Sequence, residues 1–129
     1  MRRGLVIVGA CLALTGCLRG LDVDVSGPTA APVFTVKPSW ILERDRPCLD
    51  WAKVRDIATN EVVWAIYGGL ACPKLSAVTY GLTPSGLTTP TPARPLVPGR
   101  IYRAEVHGQG WLGGVVFTCE AERCRKVEP

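Results

Sequence analysis

From Val33 onward the apolar residues of this chain come only in short runs: V-F-T-V-K (33–37), S-W-I-L (39–42), E-V-V-W-A-I-Y (61–67), L-S-A-V-T-Y-G (75–81), R-I-Y-R-A-E-V (100–106) and G-V-V-F-T-C (114–119). Each is rich in β-branched and aromatic residues, and Gly, Pro, Asn or Asp separates it from the next. Runs of this length cannot build a helical core, and they predict an all-β sandwich or barrel. Helical spacing occurs only in D-W-A-K-V-R-D-I (50–57), where Trp51, Val54 and Ile57 recur behind Asp50 as a cap. A strand-turn-strand from Ala52 to Tyr67 accounts for the same residues. The prolines at 84, 90, 92, 95 and 98 exclude a central strand between Thr83 and Pro98 and predict an extended surface connection.

The N-terminus reads differently. The run from Gly4 to Leu14 is apolar throughout and follows Arg2 and Arg3. It is too short to span a bilayer, which takes about 20 residues. A basic start, a short apolar middle and a small-residue end are the parts of an export signal. Leu14-Thr15-Gly16-Cys17 resembles the lipobox of bacterial lipoproteins, in which a branched apolar residue and two small residues precede the cysteine that receives diacylglycerol. The resemblance implies cleavage before Cys17 and lipidation of Cys17, and anchoring by more than one acyl chain is durable. Leu18 stands where an aspartate would imply retention in the inner membrane, so the implied location is the inner leaflet of the outer membrane, facing the periplasm. The chain thus divides into a signal peptide (1–16), a lipidated cysteine with a tether (17–32) and a β domain (33–129), with a short strand at Leu21–Val25 open within the tether.

Removal of Arg2 and Arg3 lowers the formal net charge from +4 to +2. The remaining basic residues are scattered apart from Arg123, Arg125 and Lys126, which is no footprint for nucleic acid. Of the six cysteines, Cys11 leaves with the signal and Cys17 carries lipid. Cys48, Cys72, Cys119 and Cys124 remain, and export to an oxidising compartment predicts two disulfides among three pairings. Cys119 and Cys124 flank the four residues Glu120–Arg123, a hairpin-loop length, which pairs them and leaves Cys48 for Cys72.

L-V-P-G-R-I-Y-R-A-E-V (96–106) resembles the L-x-P-G-x-x-Y-x-x-x-V signature at the E–F corner of fibronectin type III and related immunoglobulin-like sandwiches. The resemblance implies that Pro98-Gly99 turns the chain, that Leu96 and Val106 face the core, and that the Tyr102 hydroxyl bonds upstream backbone. Trp40 is the candidate for the tryptophan on the family's second strand. The cysteines and the segment Arg123–Val127 have no counterpart in that pattern.

No catalytic constellation is visible. His107 is the one histidine, beside a predicted hairpin loop, and spacing singles out no pair among Glu43, Asp45, Asp50, Asp56, Glu61 and Glu105. No metal set and no cofactor motif is present in the sequence, and the expectation is a non-enzyme. Trp64 alternates with Val62 and Ile66 and reads as core. The glycine-rich V-H-G-Q-G-W-L-G-G (106–114) makes His107, Gln109 and Trp111 the candidate binding loop, with Trp111 as cover for the open end of the sandwich as the alternative. The expected function is a lipid-anchored interaction module with an envelope protein or peptidoglycan as partner. The other class is a small inhibitor or a ligand- or glycan-binding lipoprotein.

Overall fold

Nine strands account for about half of the described residues in the computed structural model, which describes residues 19–39 and 47–128. Cys17, Trp40, Glu43 and Asp45 lie outside the described residues. The strands are β1 (Arg19–Ser26), β2 (Val33–Pro38), β3 (Trp51–Asp56), β4 (Val62–Tyr67), β5 (Ala77–Thr79), β6 (Thr88–Thr91), β7 (Ile101–Gly108), β8 (Trp111–Cys119) and β9 (Cys124–Lys126). The described residues contain no helix, and the fold is all-β. The strands form one curled mixed sheet in the order β5-β2-β1-β8-β7-β3-β4-β6, with β9 added antiparallel to β8.

Alternation explains the curl. Inward positions on β1 and β2 (Leu21, Val23, Val25, Phe34, Val36) meet inward positions on β8, β7, β3 and β4 (Phe117, Tyr102, Ala104, Val106, Val54, Trp64, Ile66), and all are buried. Phe34 meets Phe117 edge to face at 5.3 Å, and Tyr102 stacks on Phe117 at 5.6 Å. One half of the sheet thereby covers the other, and the core lies between them.

The short strand expected at Leu21–Val25 forms as part of β1, but the tether reading around it is corrected from Arg19 onward, because β1 is an integral strand, antiparallel to β2 and parallel to β8. Its acidic residues, Asp22 and Asp24, take the outward positions while Leu21, Val23 and Val25 enter the core. The folded unit therefore begins by Arg19, not at Val33. Gly113 makes that parallel contact feasible, and Gly108 likewise lets the segment before β3 approach β7. A Cβ on Gly113 would stand 2.3 Å from the Leu21 carbonyl oxygen, and one on Gly108 would stand 1.7 Å from that of Cys48. Both are needed for close approach of backbone, which accounts for much of the glycine-rich stretch on packing grounds.

Residues 50–57 form no helix. Val54 is fully buried while Trp51 faces outward and Ile57 is 45% exposed, so the helical apolar spacing does not make a face. Pairing with β7 from Trp51↔His107 to Asp56↔Tyr102 takes the segment instead. A register shift opposite Val54/Arg55 puts Val63 and Trp64 both inside and leaves Val62 half-buried, so the expected alternation fails at its first residue. In the proline-rich connection, Thr88–Thr91 pairs with β4 as an edge strand, the position at which Pro90 is tolerated.

The corner before β7 is fixed twice. The Val97 N–H donates to the Tyr102 hydroxyl oxygen at 2.9 Å. Asp56, at the end of β3, accepts from Arg100 Nη1 at 2.8 Å and from the Ala58 and Thr59 N–H groups at 2.9 and 3.4 Å. The Arg100 guanidinium, then those two amides, hold the Asp56 carboxyl below its ordinary value of 3.8, although burial opposes them. A depressed carboxyl contributes stability above its unfolded value that is lost as pH falls through the folded one. Melting temperature should therefore drop as pH is lowered below 3.8, and Asp56→Asn should flatten that part of the profile in a pH series of thermal melts.

Tyr80 anchors a second corner that no motif announces. Its buried hydroxyl donates to the Arg94 carbonyl at 2.5 Å, with the Val63 carbonyl at 3.4 Å, and burial pushes its pKa up to about 12. Tyr102→Phe and Tyr80→Phe should each cost about 1–3 kcal/mol, since each strands a backbone group. Chemical denaturation of both variants checks this, and a silent Tyr102→Phe would remove the corner from the account.

Candidate functional site

The outward face of β4, β3, β7 and β8 gathers the side chains that the core rejects. Cross-strand register sets them in rows: Tyr67, Trp51, His107 and Leu112; then Ala65, Lys53, Glu105 and Gly114; then Arg55, Arg103 and Val116. Period-two alternation along β3 and β7 produces this arrangement, with Ala52, Val54, Ala104 and Val106 pointing the other way.

In the first row, Trp51 and His107 stack with centroids 5.1 Å apart and planes 5° from parallel, and Lys53 Nζ lies 4.9 Å from the Trp51 ring centroid. His107 Nδ1 is 2.8 Å from Asp50 Oδ1. The imidazole is thus oriented by a carboxylate and pinned by an indole, on a strand and not in a loop as expected. Among the described residues Asp50 is its hydrogen-bond partner, and no hydroxyl or thiol stands on the other ring nitrogen to complete a nucleophilic arrangement. Among the described residues no three His, Cys, Asp or Glu side chains converge as metal ligands.

In the third row two arginines face each other directly across β3 and β7. Like charges in that position repel. Arg55 is held by the Asn60 carbonyl and Oδ1, each 3.1 Å from its Nη1, and Asn60 sits in the left-handed region at φ 60° in the β3–β4 turn. Arg103 has no ion pair among the described residues, whereas Lys53 pairs with Glu105 at 3.5 Å. Lys53, Arg55, Ile57, Asn60, Arg103 and Glu105 line a shallow depression of about 350 Å³. Beside it, an open groove of about 590 Å³ runs along β8 over Leu112, the glycines and Val116, sharing Arg103 and Glu105.

Of the candidate binding loop, Gln109 is exposed in the β7–β8 turn, His107 is half-buried and bonded as described, and Trp111 is only 8% exposed and belongs to the core. The structure thus does not bring the three together as a binding loop, because Trp111 begins β8 on its inner face. Asp50, Trp51, Lys53, Arg55, Arg103 and Glu105 are the site residues that sequence reasoning did not assemble. The alternation in W-A-K-V-R and R-A-E-V-H carries them, but only the register puts the two strands side by side.

Both disulfides join the cysteines as expected. Cys48–Cys72 has a Cα–Cα distance of 4.9 Å and ties the segment before β3 to the one after β4, where Leu49 N–H donates to Pro73 and Leu75 N–H to Pro47. Cys119–Cys124, at 3.9 Å, closes the β8–β9 hairpin. Cys17 lies outside the described residues. Compared with known proteins, the chain matches no family model, no curated protein and no solved structure.

Proposed function

We propose that the chain is a non-catalytic interaction module of the bacterial envelope, exported and lipid-anchored at Cys17, whose contact surface is the outward face of β3, β7 and β8. The observation that carries this reading is the opposed pair Arg55 and Arg103. Two guanidinium groups set against each other, one without an ion-pair partner among the described residues, have a cost that a carboxylate-bearing partner removes. The apolar groove over Leu112 and Val116 adds area beside them.

An immunoglobulin-like topology is part of the same proposal. The order β5-β2-β1-β8-β7-β3-β4, the parallel β1–β8 pair and the Tyr102 corner bond support it. The glycan-binding alternative has less support, because Trp51 already engages His107 and Lys53 and Trp111 is buried.

Cross-linking from a photoreactive residue at Val116 in intact cells tests the module. One discrete adduct is expected, absent from the Arg55→Glu/Arg103→Glu variant and from a probe placed at Thr35 on the other half of the sheet. Binding of the soluble domain, begun at Arg19, to a glycan array with no protein adduct would replace the reading by its alternative.

A further inference from the structure

The chain enters the fold at Arg19, which pairs with Trp111 at the start of β8. Two residues from Cys17 to Arg19 span at most about 7 Å. If Cys17 carries lipid, no tether separates the domain from the bilayer, and the end of the sheet that holds Arg19 must lie at the headgroups. We infer that this end is a membrane-docking surface, with the turn at Leu70 entering the lipid interface. The inference rests on the lipid anchor at Cys17.

Strand directions decide what that end contains. β1 and β8 start there, β3 starts there, and β4 and β7 finish there. It therefore carries the β7–β8 turn at Gln109-Gly110, the outward row of Tyr67, Trp51 and Leu112, and the turn that follows β4. In that turn Gly68 N–H donates to Asp50 and Ala71 N–H to Gly68, which fixes the backbone and leaves Leu70 96% exposed. Tyr67 is 53% and Leu112 44% exposed beside it. A leucine held fully in solvent on a fixed turn, flanked by a tyrosine, has the composition of an interfacial insertion.

The charges described at the same end do not oppose this docking. Lys74, exposed and paired by its backbone with Cys48, lies near it, and its Asp50 is bonded to His107. The far end also exposes Ile57, Val97 and Ile101, each far less than Leu70, and lies a strand length away from Arg19. The Cys48–Cys72 bridge, next to the Leu70 turn, holds the docking surface in shape. The outward face of β3 and β7 then stands roughly along the membrane normal and stays open to a partner.

Hydrogen exchange on the full chain tests this. The lipidated protein in vesicles of phosphatidylethanolamine and phosphatidylglycerol is compared with Cys17→Ser in solution, and the N-terminal peptide mass is read from the same digests. Exchange at 68–71 and 109–112 should slow about fivefold or more on the vesicles, with 57–61 and 119–124 unchanged. Leu70→Glu should keep the lipid and lose most of the protection at 68–71. A lipid-bearing N-terminus with no difference between the two ends overturns the docking while leaving the anchor in place. A chain without lipid overturns the anchor, and the docking with it.

Discussion

Val23→Asp should unfold the domain or destabilise it by about 3–5 kcal/mol, because it places a carboxylate in the core with no partner. Val23 is 6% exposed on the inner face of β1, opposite Val36 on β2. Its neighbour Asp24 points outward opposite Thr35, so Asp24→Asn should stay within about 0.5 kcal/mol of the parent. The contrast separates an integral strand from a tether, for which both substitutions would be silent. Truncation to Val33 should give the same answer more severely, since it leaves the edges of β2 and β8 unpaired. Circular dichroism with urea titration reads all three.

Loss of the Cys48–Cys72 bridge is the second large effect. The bridge closes a loop of sequence separation 24, against 5 for Cys119–Cys124. Chain entropy then predicts a loss of about 3.5 kcal/mol for the first and about 2 for the second. The longer bridge also holds buried Leu49 and the turn that presents Leu70, whereas the shorter one closes a hairpin that β8–β9 pairing and the bond from Cys124 N–H to Gly27 already hold. Paired cysteine-to-alanine variants, compared by thermal unfolding, should melt in that order. Equal melting temperatures would show that the longer loop is held by its backbone bonds alone.

What could be read from the sequence was local. The runs at 33–37, 61–67, 100–106 and 114–119 became strands because alternation and β-branching act within a few residues. The Tyr102 corner was legible because its donor, Val97, lies five residues away. Long-range features were hidden. β1 looked like a tether since its partner β8 lies some ninety residues on, and nothing in L-D-V-D-V announces a parallel neighbour. Tyr80 reaches a carbonyl at Arg94 through a loop with no motif, and Asp56 meets Arg100 across 44 residues. The candidate face was hidden for the same reason. Arg55 and Arg103 are unremarkable in their own strands, and only the β3–β7 register makes them a like-charged pair.

Anchoring at Cys17 joins the proposed function to the orientation of the domain, and the mass of the N-terminal peptide from membrane fractions tests it most directly. A chain that begins at Cys17 with a lipid-sized increment is expected, with its loss from the membrane fraction in Cys17→Ser. An unmodified chain beginning at Met1 in the soluble fraction would contradict it.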